Sequence, residues 1–536
     1  MDIRFHSMLK GGRRFDCAIL PVFGDGGDAA TLAPLFAARP ANSPLAWLAG
    51  SGALADHGGK VNDLTLCHAA SAGALPRALL VGLGAKEDLS LDRYRAAVGT
   101  AVRRCRALRL ARLAVPLAGL EDVAGVLGMD VADILRETVL AALLALYSCT
   151  EFRSEDARAR GRKDREPEYF VPESLTVLHP DRPVPASLRA SLRLAEAEAA
   201  GVCLARDLVN APANIMTPAR MAEEAVALAR RHGFSCRVLS KAEMAKLGMG
   251  ALLAVAEGSR KDARFIVLEY VPSGAKKQTP FIMIGKGITF ESGGISLKPA
   301  AGMHLMKGDM AGGAAVLGAF EAIGRCGGVS QPVVGLIPCT ENMPGGSALR
   351  PGDIVTALSG KTVEILNTDA EGRLILCDAL AYARKNWTPC MLVDIATLTG
   401  ACVVALGKGA SGLFTDHAPL RDAIMQAGGF AGEAFWPMPL WERLRDGLKS
   451  DVADIANVGP REGGAIAAAL FLQAFVDKNL PWAHLDMAGA GIAEKETPLC
   501  PRGATGFGVR TLFALARRLP DAALCRQEKV CTGATG

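Results

Sequence analysis

Four short apolar runs constrain this chain's fold more than any other feature: residues 265–270, 281–284, 333–338 and 391–395. Each is bounded by turn residues and too short for a buried helix, so each reads as a strand buried on both faces. Helix-like runs intervene, at residues 312–323 and 374–384. Strands separated by helices pair in parallel, which predicts a doubly wound, mostly parallel α/β sheet. Ahead of them, residues 218–232 read as a helix opened by Thr217 as N-cap, with Pro218 in its first turn.

The first part of the chain repeats the alternation on a smaller scale. Residues 17–22 and 79–83 look like strands, and residues 91–108 and 131–147 like helices, which together predict a small α/β domain. Gly82-Leu83-Gly84 lacks the third glycine of a dinucleotide loop and reads as a strand-end turn. Residues 151–166 are charge-dense and read as an exposed linker, followed by a bridging helix at about 186–208. The expected division is an N-terminal α/β domain with its linker at 1–182 and a catalytic domain at 183–536. The polar, glycine-rich residues 525–536 are expected to be disordered.

Composition narrows the class. Sixty basic against 55 acidic residues leave a net charge of +5, too mild to demand a nucleic-acid partner, although arginine-rich residues 103–112 and 153–165 leave one open. Residues 1–16 hold no apolar core of a secretory signal, and the best apolar stretch, 139–147, is far too short to cross a bilayer. Fourteen cysteines without a C-x-x-C pair read as reduced thiols, which points to the cytoplasm and away from a membrane.

Two polar clusters interrupt the apolar pattern. Asn367-Thr368-Asp369-Ala370-Glu371-Gly372-Arg373-Leu374 lies between a β-prone run, residues 362–366, and the helical run from 374. In an extended loop Asp369, Glu371 and Arg373 would point the same way. Two carboxylates that close need a cation between them, and a divalent metal is the usual one. Alone, such a stretch reads more readily as a solvated acidic turn followed by a helix. The second cluster changes the balance: Lys286, Glu291, Ser292-Gly293-Gly294, Lys298 and Asp309 follow the strand-like run that ends at Gly285. Charged side chains separated by glycines at a strand end make a poor core and a good site. His304 and His484 read instead as loop or core histidines.

With these motifs the chain resembles the leucyl aminopeptidase (M17 cytosol aminopeptidase) family. Ala205-Arg206-Asp207-Leu208-Val209-Asn210, Arg350-Pro351-Gly352-Asp353, Asp394-Ile395-Ala396-Thr397-Leu398-Thr399-Gly400 and Trp482-Ala483-His484-Leu485-Asp486 extend the resemblance over residues 200–515. It implies a two-metal exopeptidase acting on peptides with a free, leucine-like N-terminus through a metal-bridging hydroxide. Lys286, Glu291, Asp309 and Glu371 would hold one ion; Glu291, Asp369 and Glu371 would hold the other. The ions would be Mn²⁺ or Zn²⁺, with Mg²⁺ as a further option. Lys298 would stabilise the oxyanion and Arg373 would hold a bicarbonate. The resemblance also implies a homo-hexamer. At position 291 the family has aspartate, and the added methylene of Glu291 displaces the carboxylate by about 1.5 Å. The competing reading is a catalytically weak scaffold or DNA-binding architectural protein. All seven site positions nevertheless keep chemically competent side chains.

Overall fold

A computed structural model describes residues 1–7, 14–24, 45–49, 57–70, 75–154, 170–179, 183–275 and 277–518. The 525–536 tail and residues 155–166 of the charged linker lie outside these. The chain forms two compact units, one of Met1–Ala199 with Lys495–Arg502, the other of Ala200–Glu494 with the described chain from Gly503 on.

The first unit is built on a six-stranded sheet. Its strands are β1 (Asp2–Ser7), β2 (Cys17–Phe23), β3 (Leu64–His68), β4 (Arg77–Gly84), β5 (Arg112–Pro116) and β6 (Ser174–His179), in the order β1-β6-β5-β2-β4-β3. Only β3 runs antiparallel to its neighbour. Helices Leu91–Ala107 and Val131–Ala145 start where the sequence placed them, because Ser90 accepts from Arg93 N and Asp130 from Ala132 N. Tyr94 and Thr138 join their hydroxyls at 2.6 Å, and Arg95 meets Glu137 at 2.6 Å, so the two helices share a buried polar seam. The arginine-rich 103–112 segment is largely engaged within this unit: Arg106 is buried, Arg103 pairs with Glu496, and Arg112 pairs with Asp16.

The helix Ala186–Asn210 carries the chain into the second unit. There a nine-stranded sheet runs through β7 (Ser235–Leu239), β8 (Arg264–Tyr270), β9 (Phe281–Gly285), β10 (Gly287–Glu291) and β11 (Val333–Asn342). Two short strands outside it, β12 (Ile354–Thr356) and β13 (Thr362–Glu364), precede β14 (Met391–Ala396), β15 (Ala410–Phe414) and β16 (Ala434–Met438). The last members are β17 (Ile455–Ala456), outside the large sheet, and β18 (Trp482–Asp486) within it. The heart of the sheet, β11-β9-β14-β18, is parallel throughout, and antiparallel pairs appear toward its edges. Both faces are covered. Leu336 and Ile282 pack with Leu374 and Ile375 of the helix Glu371–Asn386, while a side chain at Gly335 would strike Val316 and Phe320 of Ala311–Cys326. Alternate residues of each strand thus meet a different helix, which explains the unbroken apolar runs.

Two local expectations change. The β-prone run 362–366 forms strand only over Thr362–Glu364, in a side sheet ordered β12-β13-β17. Within that three-residue strand only Val363 is buried, whereas a strand of the central sheet must be apolar on both faces. The following helix begins at Glu371, three residues before the expected Leu374, so Glu371 and Arg373 stand on a helical turn and not in an extended loop. No helix among the described residues is long and apolar enough to cross a membrane.

Candidate functional site

The parallel strands deliver their C-terminal ends to one cavity of about 350 Å³, in the place where open α/β sheets keep ligands. Lys286 follows β9, Glu291 ends β10, and Thr397 follows β14. Asp309 closes the 3₁₀ turn Met303–Gly308 just ahead of the helix Ala311–Cys326. Glu371 is the first residue of its helix, where the amide dipoles favour a negative charge. These residues line the cavity together with Lys298 and Asp369.

The two motif loops are stitched to each other by uncharged groups. Thr368 Oγ1 donates to Gly293 O at 2.7 Å and accepts from Ser296 N at 2.8 Å. Asn342 donates to Thr368 O at 3.0 Å and toward Glu371 Oε2 at 3.4 Å. From the other side Asn457 accepts from Leu366 N and donates to Asn367 O. Gly293, at φ 91°, lets the backbone pass so close that a Cβ there would lie 2.8 Å from Asp369 Oδ1.

Within this frame, four carboxylates meet two ammonium groups. Lys286 Nζ lies 2.9 Å from Asp309 Oδ1, 2.9 Å from Glu371 Oε1 and 3.0 Å from Thr397 O. Lys298 Nζ lies 2.9 Å from Glu291 Oε2 and 2.7 Å from Asp369 Oδ1. Thr397 Oγ1 donates to Asp309 Oδ1 at 2.8 Å. Burial alone would lower both lysine pKa values, but the carboxylates outweigh it and hold each above the ordinary lysine value. Burial also pushes Asp309 up to about 6 and Glu291 well above the usual carboxylate range, the latter reinforced by facing Glu371. Glu371 goes the other way, to about 2, because Lys286 overcomes its burial. Glu291 and Glu371 face each other closely enough that their titration belongs to the pair.

The donor set fits a divalent cation. Glu291, Asp309 and Glu371 each offer a ligand atom within 4.8 Å of the others. Glu291 Oε1 and Asp309 Oδ2 are buried and meet no hydrogen-bond donor, a costly state for carboxylate oxygens that a cation would relieve. Arg373 departs from the group. On a helix, residues two apart do not share a face, so its guanidinium turns off the cavity wall and donates to Asn457 O at 2.7 Å. Its Nε is buried without an acceptor.

Comparison with known proteins gives this arrangement its context. Residues 203–513 match the cytosol aminopeptidase family catalytic domain and residues 47–156 its N-terminal domain. The chain belongs to the cytosol aminopeptidase family. A probable cytosol aminopeptidase of Nitratidesulfovibrio vulgaris is 50% identical over 517 residues, covering 96% of this chain and 98% of that one. One from Desulfovibrio desulfuricans is 47% identical, covering 96% and 99%. Among solved structures, the bottromycin maturation enzyme BotP in complex with Mn matches with a TM-score of 0.77 and 35% identity, over 94% of this chain and 99% of that one. A variant of tomato leucine aminopeptidase matches at 0.79 and 33%, over 96% of each chain. The chain is therefore a metal-dependent hydrolase that acts on N-terminal peptide bonds.

Sequence reasoning missed the uncharged supports of the site. Thr397 stands inside a recognisable motif and Asn342 ends the continuation of a predicted strand, but a threonine or asparagine carries no charge to attract attention. Asn457 gave no signal at all. His304 is exposed on its turn, and His484 is buried in the core with Nδ1 2.5 Å from Asp394 Oδ1.

Proposed function

We propose that this enzyme removes leucine-like N-terminal residues from peptides at a two-ion centre. Lys286, Glu291, Asp309 and Glu371 would hold one ion, and Glu291, Asp369 and Glu371 the other. The observation that carries this reading is the pair of buried carboxylate oxygens, on Glu291 and Asp309, that face no donor where four carboxylates converge. An oxygen-rich set with one amine suits Mn²⁺ or Zn²⁺, with Mg²⁺ as a weaker fit. When bound, the ions would supply Lewis-acid polarisation of the scissile carbonyl and acidify the water that attacks it.

The chain's own groups supply the rest. Lys286 gives up its proton to become a ligand and keeps its orientation by donating to Thr397 O. Lys298 keeps its ammonium, and from the cavity wall it donates to the oxygen that gains charge as the carbonyl is attacked. A bicarbonate at Arg373 would satisfy the buried Nε and could carry a proton. Met306, Leu398, Val403 and Ile492 give the cavity an apolar wall suited to an aliphatic side chain. The working form is a cytoplasmic hexamer.

The deciding assay strips the protein with a chelator and follows hydrolysis of an aminoacyl amide. Activity should vanish and return with Mn²⁺ or Zn²⁺, and an N-acetylated substrate should not be turned over. Equal turnover of the blocked substrate removes the exopeptidase reading. Light scattering that finds a stable monomer at micromolar concentration removes the hexamer.

A further inference from the structure

We propose that Asp486 is a positioning residue for the metal centre, acting through the segment that follows β14. Asp486 is fully buried at the end of β18, beside Ala396 in the parallel ladder. Its Oδ1 accepts from Leu398 N at 3.1 Å, Thr399 N at 3.4 Å and Ala488 N at 3.2 Å. Its Oδ2 accepts from Thr399 Oγ1 at 2.7 Å. No cation is among these contacts. The carboxylate is held by backbone and hydroxyl donors, so the same bonds that satisfy it also fix the loop.

The clamped residues adjoin Thr397, which alone in this segment touches the candidate ligands. Its carbonyl accepts from Lys286 Nζ at 3.0 Å and its hydroxyl donates to Asp309 Oδ1 at 2.8 Å. A neutral lysine amine can point its lone pair at an ion only if its N–H bonds point elsewhere, and the Thr397 carbonyl is the acceptor in place. Partners one shell out commonly set ligand orientation in this way. Thr399 Oγ1 meanwhile accepts from Cys402 N and caps the helix Gly400–Leu406, so the segment is pinned from both ends. Asp486 thus governs the aim of Lys286 and Asp309 while touching neither. This inference rests on the metal-centre reading above.

The test uses full-length protein freed of metal by chelation, with Mn²⁺ titrated calorimetrically and steady-state kinetics measured on the reloaded enzyme. Asp486→Asn and Thr399→Val should each weaken Mn²⁺ binding by about ten- to a hundred-fold. Both should lower kcat by more than they raise KM, since the side chains of the apolar wall, Leu398 and Val403 among them, are unchanged. Thr399→Ser, which keeps the hydroxyl, should restore native affinity. If Asp486→Asn does not fold, the Thr399 pair decides alone. Variants that melt earlier yet bind Mn²⁺ within two-fold of native show a purely structural role and overturn the proposal. Native protein that binds no Mn²⁺ overturns the metal-centre reading, and this proposal with it.

Discussion

Gly372→Ala tests the site through its packing. A Cβ at Gly372 would lie 2.7 Å from both Cε and Nζ of Lys286 and 2.9 Å from Leu398 Cδ1. Ordinary contact begins at 3.4 Å, so the lysine head must retreat by about 0.7 Å. Lys286 is buried with three acceptors at 2.9–3.0 Å, and a retreat of that size carries at least one of them beyond hydrogen-bonding distance. Overpacking costs about 1–3 kcal/mol, while replacing glycine by alanine on a helix returns about 0.5–1 kcal/mol. Stability should therefore fall by about 0–2.5 kcal/mol. Ligand geometry is far less forgiving, and Mn²⁺ affinity should drop by about ten- to a hundred-fold, or about 1.4–2.8 kcal/mol. Calorimetric Mn²⁺ titration beside a thermal melt separates the two effects. Gly429→Ala is the control, because a Cβ there meets nothing within 4 Å. If Gly372→Ala binds metal and turns over substrate like the native enzyme, Lys286 does not need the position described here.

Three further outcomes are expected. Glu291→Gln should lower occupancy of at least one ion and cut turnover heavily, since it removes charge from between two cations in a partly dry site, whereas Glu291→Asp should keep metal and part of the activity. Native protein that binds fewer than two ions while Glu291→Asp binds two and gains activity would refute Glu291 as a bridge. Mn²⁺ affinity should fall as pH drops toward and below about 6, because metal-free Asp309 takes up a proton there, as does Glu291, which burial raises well above the usual carboxylate range, and the ion needs both ionised; loading should also release protons, Lys286 giving up its own, which calorimetry in buffers of different ionisation enthalpy will count. Asp378→Ala should lower the melting temperature by several degrees, since its carboxylate accepts from Leu252 N at 2.9 Å and Leu358 N at 2.7 Å and each orphaned buried donor costs about 1–3 kcal/mol.

Periodicity located the elements that hold the site. Residues 281–284 and 391–395 had to be strands because an uninterrupted short apolar run has no other economical burial, and both proved to lie in the parallel heart of the sheet. Thr217 with Pro218 marked a helix start because caps act through neighbouring atoms, and local chemistry of that kind is written in the chain. The acidic and basic side chains of the cavity were legible for a similar reason. Charges beside glycines at a strand end are expensive in a core, so their presence points to a site.

Direction and partnership lay beyond local pattern. Asp369, Glu371 and Arg373 alternate in sequence as if along one extended face. The helix begins at Glu371, however, and that single boundary turns Arg373 away to Asn457, a contact 84 residues distant. Thr397 and Asn457 matter through what they touch, and neither residue type announces itself in a sequence. The same holds for Asp486, whose donors on Thr399 and Leu398 lie 87 and 88 residues upstream. The sequence by itself determined the strand–helix alternation, the family motifs and the charged side chains, because burial and charge are properties of residues. Only the tertiary structure decided which of those side chains share the cavity and which polar groups hold them in place, because hydrogen bonds between distant segments exist only once the sheet has brought its strand ends together.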